Sequence, residues 1–149
     1  MSFAFDPAGW LQDDEIQLLL TEARSADPVH DLVPSYHFII ARLDGEAVGH
    51  CDLRIGHNEK LYYGGNIGYG VDEPHRGHHY AGKACLLLFQ LARRHGLTYL
   101  YITCNPENFS SRRTCEYAGG VLAAIVDLPP DSDMYLSGER RKCVYKFEL

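Results

Sequence analysis

Along the chain the apolar and polar positions change rhythm several times, and each rhythm predicts an element. The most regular is a long apolar run over residues 80–95, which reads as a helix. Arg93, Arg94 and His95 fill its last turn and Gly96 stops it. Residues 66–71 lead into it as a short strand, and 98–103, rich in β-branched and aromatic side chains, follow it as another. Strand, helix and strand together fit a parallel crossover with the helix packed on one face. A second helix is expected over 110–118, with Asn108 as its N-cap and Gly119 as its stop.

Nearer the N-terminus, Asp13, Asp14 and Glu15 precede Ile16, Leu18, Leu19, Leu20 and Ala23. That pattern predicts an amphipathic helix with acids in its first turn. Residues 28–34, bounded by prolines, read as a linker. Two runs, 37–43 and 46–53, flank Asp44-Gly45 and predict a hairpin. Residues 56–65 read as a loop, 121–128 and 142–149 as terminal strands, and 129–141 as a polar loop between them. The sum is one mixed sheet with helices on its faces: an α/β (α+β) fold in a single domain over residues 1–149.

What the 80–95 helix lacks is a start. No Ser, Thr, Asp or Asn stands at its N-cap, so its first backbone N–H groups have no side-chain acceptor. Arg76 precedes it, and the small residues Ala81 and Gly82 sit inside its first turn. A strand, a basic turn and a helix with free N–H groups is one way to hold a phosphate. Two other readings stand beside this one. The helix could begin on water or a backbone acceptor, or His75, His78 and His79 could hold a metal. No Cys or carboxylate ligands cluster with those histidines, so no metal is expected.

Composition narrows the class. A chain of 149 residues, 46% hydrophobic, is long enough for one domain with a real core. A net charge of −6 argues against a broad nucleic-acid surface. The longest apolar stretch, residues 84–89, is too short to cross a membrane, and nothing reads as a signal peptide. Cys51, Cys85, Cys104, Cys115 and Cys143 are scattered, odd in number and without C-x-x-C spacing, as expected for free thiols in a reducing cytoplasm.

Two ordered motifs now carry a resemblance. Arg76-Gly77-His78-His79-Tyr80-Ala81 opens the first helix, and Asn108, Ser111, Cys115, Glu116 and Gly119 are spaced along the second. Together, at this separation and on these elements, they resemble the GNAT superfamily of acyl-CoA-dependent N-acyltransferases. The first motif there has the form (Arg/Gln)-x-x-Gly-x-(Gly/Ala), and the second Asn-x-x-Ser-x-x-x-Tyr-Glu-x-x-Gly. The resemblance implies acetyl-CoA as cosubstrate. Its pyrophosphate would lie on Arg76, Gly77, His78, His79, Tyr80, Ala81, Gly82 and Lys83. Its pantetheine arm would lie between strands that splay apart after Val71 and Thr103, with Asn105, Asn108 and Ser111 nearby. For both asparagines, turn and capping roles are an equal alternative. Two positions depart from the family pattern. His79 replaces the central glycine of the first motif. Cys115 replaces the tyrosine that in this family often protonates the departing thiolate, so the acid is Cys115, a tyrosine from elsewhere, or no dedicated group.

The implied chemistry is acetyl transfer to a primary amine by direct attack in a ternary complex. An alkyl ammonium is only about one part in a few thousand neutral at pH 7, so a base must take its proton. Asp72, Glu73, His50 and Asp52 are the candidates. The acceptor stays open between a small amine and a protein N-terminus or lysine. A catalytically weak acyl-CoA sensor or complex subunit is the alternative function. Acetyl-CoA and an amine are the expected partners, without nucleic acid or membrane, and a homodimer through the terminal strands is compatible with the pattern.

Overall fold

The computed structural model of the protein describes residues 3–149. Its elements run β1 (Ile16–Arg24), β2 (Ser35–Arg42), β3 (Ala47–Arg54), α1 (Glu59–Gly64), β4 (Ile67–Val71), α2 (Tyr80–Arg94), β5 (Tyr99–Cys104), α3 (Phe109–Tyr117), β6 (Val121–Asp127), α4 (Asp133–Leu136) and β7 (Arg141–Glu148). The class is the mixed one expected. The expected single sheet is two, however: an antiparallel β1-β2-β3-β4 sheet and an antiparallel β5-β7-β6 sheet.

The two sheets meet where β4 and β5 run side by side. Asn66, fully buried, joins them: its N–H donates to the Tyr101 carbonyl at 2.7 Å, and its Oδ1 accepts from the Tyr101 N–H at 3.0 Å. Beyond that clasp no ladder connects the two strands among the described residues. Edges of β4 and β5 that no ladder joins leave backbone donors and acceptors without a strand partner.

The segment 13–23 corrects the sequence expectation. It is not a helix: Ile16–Arg24 is an edge strand paired along β2, from Ile16 opposite Arg42 to Arg24 opposite Ser35. Asp13 does cap, but in a turn, its Oδ1 accepting from the N–H groups of Glu15 and Ile16 at 2.8 Å each. Two expected loops also hold short helices, each started by a capping side chain. Asn58 accepts from Leu61 N–H before α1, and Ser132 from Tyr135 N–H before α4. The 28–34 linker contains one 3-10 turn, Pro28–His30.

α2 buries Ala84, Cys85, Leu87, Leu88, Leu91 and Ala92 against β1, β3 and β4. It ends in a Schellman turn, with Gly96 N–H donating to Arg93 and Leu97 N–H to Ala92. α3 ends the same way, through Gly119 to Glu116 and Gly120 to Cys115, and rests on α2 and β5. One apolar cluster runs through both sheets, from Ile16, Phe38 and Leu53 to Leu100, Tyr145 and Phe147. Among the described residues no helix is long and apolar enough to cross a membrane.

Candidate active site

After Val71 the chain passes through Asp72 and the turn Glu73–His75 to Arg76 and Gly77. His79 then adopts a left-handed conformation, φ 60° and ψ 23°, and α2 begins at Tyr80 with no side chain accepting from its first N–H groups. That conformation costs a residue with a Cβ about 1–2 kcal/mol. The His79 ring is held where it is by lying flat on Tyr117 of α3. The two helices can approach this closely because Gly82 has no side chain: a Cβ there would stand 2.3 Å from Tyr117 Cδ1.

Between the end of β4, the start of α2 and the outer face of α3 lies a cleft of about 890 Å³. Val71, Arg76, Gly77, His79, Tyr80, Ala81 and Gly82 line it, and so do Asn108 and Ser111. Of the candidate bases, Asp72, Glu73 and His50 reach it. Arg76 is drawn back over the strand end, its Nε donating to the Val71 carbonyl at 3.0 Å. Asn108 is the cap expected, its Oδ1 accepting from Ser111 N–H at 3.1 Å.

Five expected residues lie elsewhere. Lys83 turns the other way, its Nζ 2.9 Å from Glu15 and 3.5 Å from Asp14, and the bond to Glu15 with the surrounding acids raises its pKa. His78 is exposed, its ring against that of Tyr80. Asp52 accepts from Gly68 N–H at 3.1 Å and sits 3.4 Å from Arg54, outside the cleft. Asn105 is not on the cleft wall either; its Oδ1 is buried with no hydrogen-bond partner. Cys115 is fully buried behind the wall, and burial pushes its thiol up to about 12. Two residues further on, Tyr117 faces the cleft, as a rotation of about 200° along a helix requires.

The lining also includes residues outside the sequence-predicted set, Arg113 and Tyr69 among them. Arg113 shares the outer face of α3 with Ser110, Thr114 and Tyr117, a face legible from their three- and four-residue spacing. Tyr69 alternates on β4 with Ile67 and Val71, and its Oη lies 2.6 Å from Ser111 Oγ. The cleft thus combines free helix N–H groups and two guanidinium groups, suited to an anion, with carboxylates and imidazoles suited to moving a proton. Among the described residues no three His, Cys, Asp or Glu side chains are grouped to hold a metal ion.

The model of the Acetyltransferase (GNAT) family matches residues 5–119. No curated protein matches the chain in sequence. Among solved structures, RimL, a ribosomal-protein alpha-N-acetyltransferase in complex with coenzyme A, aligns with a TM-score of 0.67 at 14% identity, over 92% of this chain and 96% of that one. MccE, a microcin self-immunity acetyltransferase solved with acetyl-CoA and AMP, gives 0.62 at 19%, over 77% of this chain and 61% of its own. A GNAT-family acetyltransferase from Bacillus anthracis gives 0.58 at 18%, over 75% and 65%. The chain therefore spans less than two thirds of the last two proteins, at 61% and 65%. At these identities the likeness is one of fold.

Proposed function

The chain belongs to the Acetyltransferase (GNAT) family, and from that membership we propose that it transfers an acetyl group from acetyl-CoA to a primary amine, by direct attack in a ternary complex. The observation that carries this reading is the uncapped start of α2, which opens beside Arg76 and Arg113 onto a cleft of about 890 Å³. Helix N-termini and guanidinium groups favour phosphate, and the volume is one that cofactor sites commonly have. The bound molecules of RimL and MccE, coenzyme A and acetyl-CoA, support the same cosubstrate here.

In this reading the first N–H groups of α2, with Arg76 and Arg113, hold the pyrophosphate in a fixed frame. Bound acetyl-CoA supplies a thioester carbonyl open to attack by an amine. Asp72, Glu73 or His50, all on the cleft wall, takes the ammonium proton directly or through water. The acceptor is a small amine or a protein N-terminus or lysine. We further propose that residues 1–149 work as one domain in the cytoplasm, in keeping with five cysteines that all remain free thiols. The reading is tested by following thiol release from acetyl-CoA in the presence of pooled primary amines. Release above the rate without protein supports it. No release, together with no binding of acetyl-CoA, overturns it.

A further inference from the structure

Tyr69 is a hydroxyl in the cleft wall to which that chemistry assigns no task. Its ring packs against the core on the β4 face shared with Ile67 and Val71, and its Oη stands 2.6 Å from Ser111 Oγ and 3.4 Å from the Ser111 carbonyl. Ser111 is itself fixed, because its N–H donates to Asn108 Oδ1 in the first turn of α3. With the Ser111 hydroxyl donating to Tyr69 Oη, the phenolic hydrogen has only the Ser111 carbonyl, at a long 3.4 Å, and the Cys115 thiol as neighbouring acceptors, and it can turn to a stronger one brought into the cleft. Burial, and next the nearby Cys115 thiol, raise the phenol's pKa, so the hydroxyl keeps its proton across any working pH.

Acyl transfer out of a thioester calls for such a donor. As the amine's lone pair forms the C–N bond, the C–S bond breaks and its electron pair passes to sulfur. The amine's proton goes to Asp72, Glu73 or His50, and the thiolate gains its own proton from solvent on release. Between those moments a sulfur anion lies in a cleft that limits its hydration, where a fixed hydrogen-bond donor lowers its energy. We propose that Tyr69 Oη–H donates to the departing thiolate and that Ser111 orients it; this rests on the acetyl-CoA reading above. Cys115 cannot do so, because its side chain is fully buried and off the cleft wall. Tyr117 lies against His79, among the groups at the start of α2.

The test needs no acceptor. Coenzyme A with its free thiol is titrated into the protein, and the thiolate absorbance of the complex is followed from about pH 6 to about pH 10, around the thiol's ordinary value near 8.5. Wild type is compared with Tyr69→Phe, which keeps the ring's packing, and with Cys115→Ala. The bound thiol is expected to titrate about one to two pH units higher in Tyr69→Phe than in wild type, the worth of one hydrogen bond to a charged acceptor. The same titration in both proteins, or a shift that appears with Cys115→Ala instead, overturns the assignment of Tyr69. Coenzyme A failing to bind wild type at any pH overturns the acetyl-CoA reading, and the proposal with it, so the two failures are distinguishable.

Discussion

The imidazole of His79 lies on the phenol ring of Tyr117, their centroids 4.4 Å apart and their planes within 6° of parallel. This stack ties the start of α2 to the end of α3 at the point where the backbone is left-handed. Stacking contributes about 0.5–1.5 kcal/mol, and the left-handed conformation costs a comparable amount. His79→Ala is expected to lose the stack and keep the strain, destabilising the fold by about 1 kcal/mol. His79→Gly loses the stack and the strain together and should unfold near the wild-type midpoint. Urea unfolding of the two variants checks the balance.

Arg76 is held beside the cleft by its bond to the Val71 carbonyl. Arg76→Ala is expected to weaken acetyl-CoA binding about 10- to 100-fold, the range for a charge-assisted bond to phosphate. Calorimetry on the variant reads this directly, and an unchanged affinity removes Arg76 from the site.

Lys83 makes the opposite prediction. Its ammonium faces Glu15 and Asp14, not the cleft. Lys83→Met should leave acetyl-CoA affinity within about twofold while costing about 0.2–1 kcal/mol of stability, the ordinary worth of a surface ion pair. Because the folded protein raises the Lys83 pKa, the contribution is fully present below the lysine's ordinary value and fades only as pH rises above it. The variant's deficit should therefore be constant from neutral pH to about pH 10.

Asp6 gives a dependence at the acid end. Its carboxylate accepts from Trp10 Nε1 at 2.9 Å and Ala8 N–H at 2.7 Å and lies 3.1 Å from Arg94, which together hold its pKa below the ordinary range. A depressed carboxylate contributes stability above its unfolded value and loses it as pH falls through the folded one. Asp6→Asn should cost about 1 kcal/mol at pH 7, and the gap to wild type should close as pH falls below about 4. Urea midpoints measured against pH decide this.

The elements that carry strong local signals were legible in the sequence. The expected bounds of α2 and α3 agree with the structure to within a residue or two, because Gly96 and Gly119 close them and Asn108 caps α3. β1 was not, because Leu19 and Leu20 sit beside Ile16 and Leu18 and hide the alternation. Only Ile16 and Leu18 are buried, and pairing with β2 decides the conformation. The short α1 and α4 depend on single caps, Asn58 and Ser132, inside runs that otherwise read as loop. Division of the sheet at Asn66 follows from four hydrogen bonds that its amide and backbone N–H make to Arg54, Gly56 and Tyr101, which no local pattern encodes. In the site, the uncapped helix was readable from missing residue types. Lys83 was misplaced because its acidic partners are nearly seventy positions away in sequence. Tyr69 was overlooked because nothing in a five-residue strand marks which hydroxyl meets α3.

Calorimetric titration of the protein with acetyl-CoA tests the central claim most directly. One-site binding, weakened by Arg76→Ala and untouched by Lys83→Met, is the result the uncapped start of α2 and its cleft predict. No heat of binding at millimolar acetyl-CoA would contradict the proposed activity.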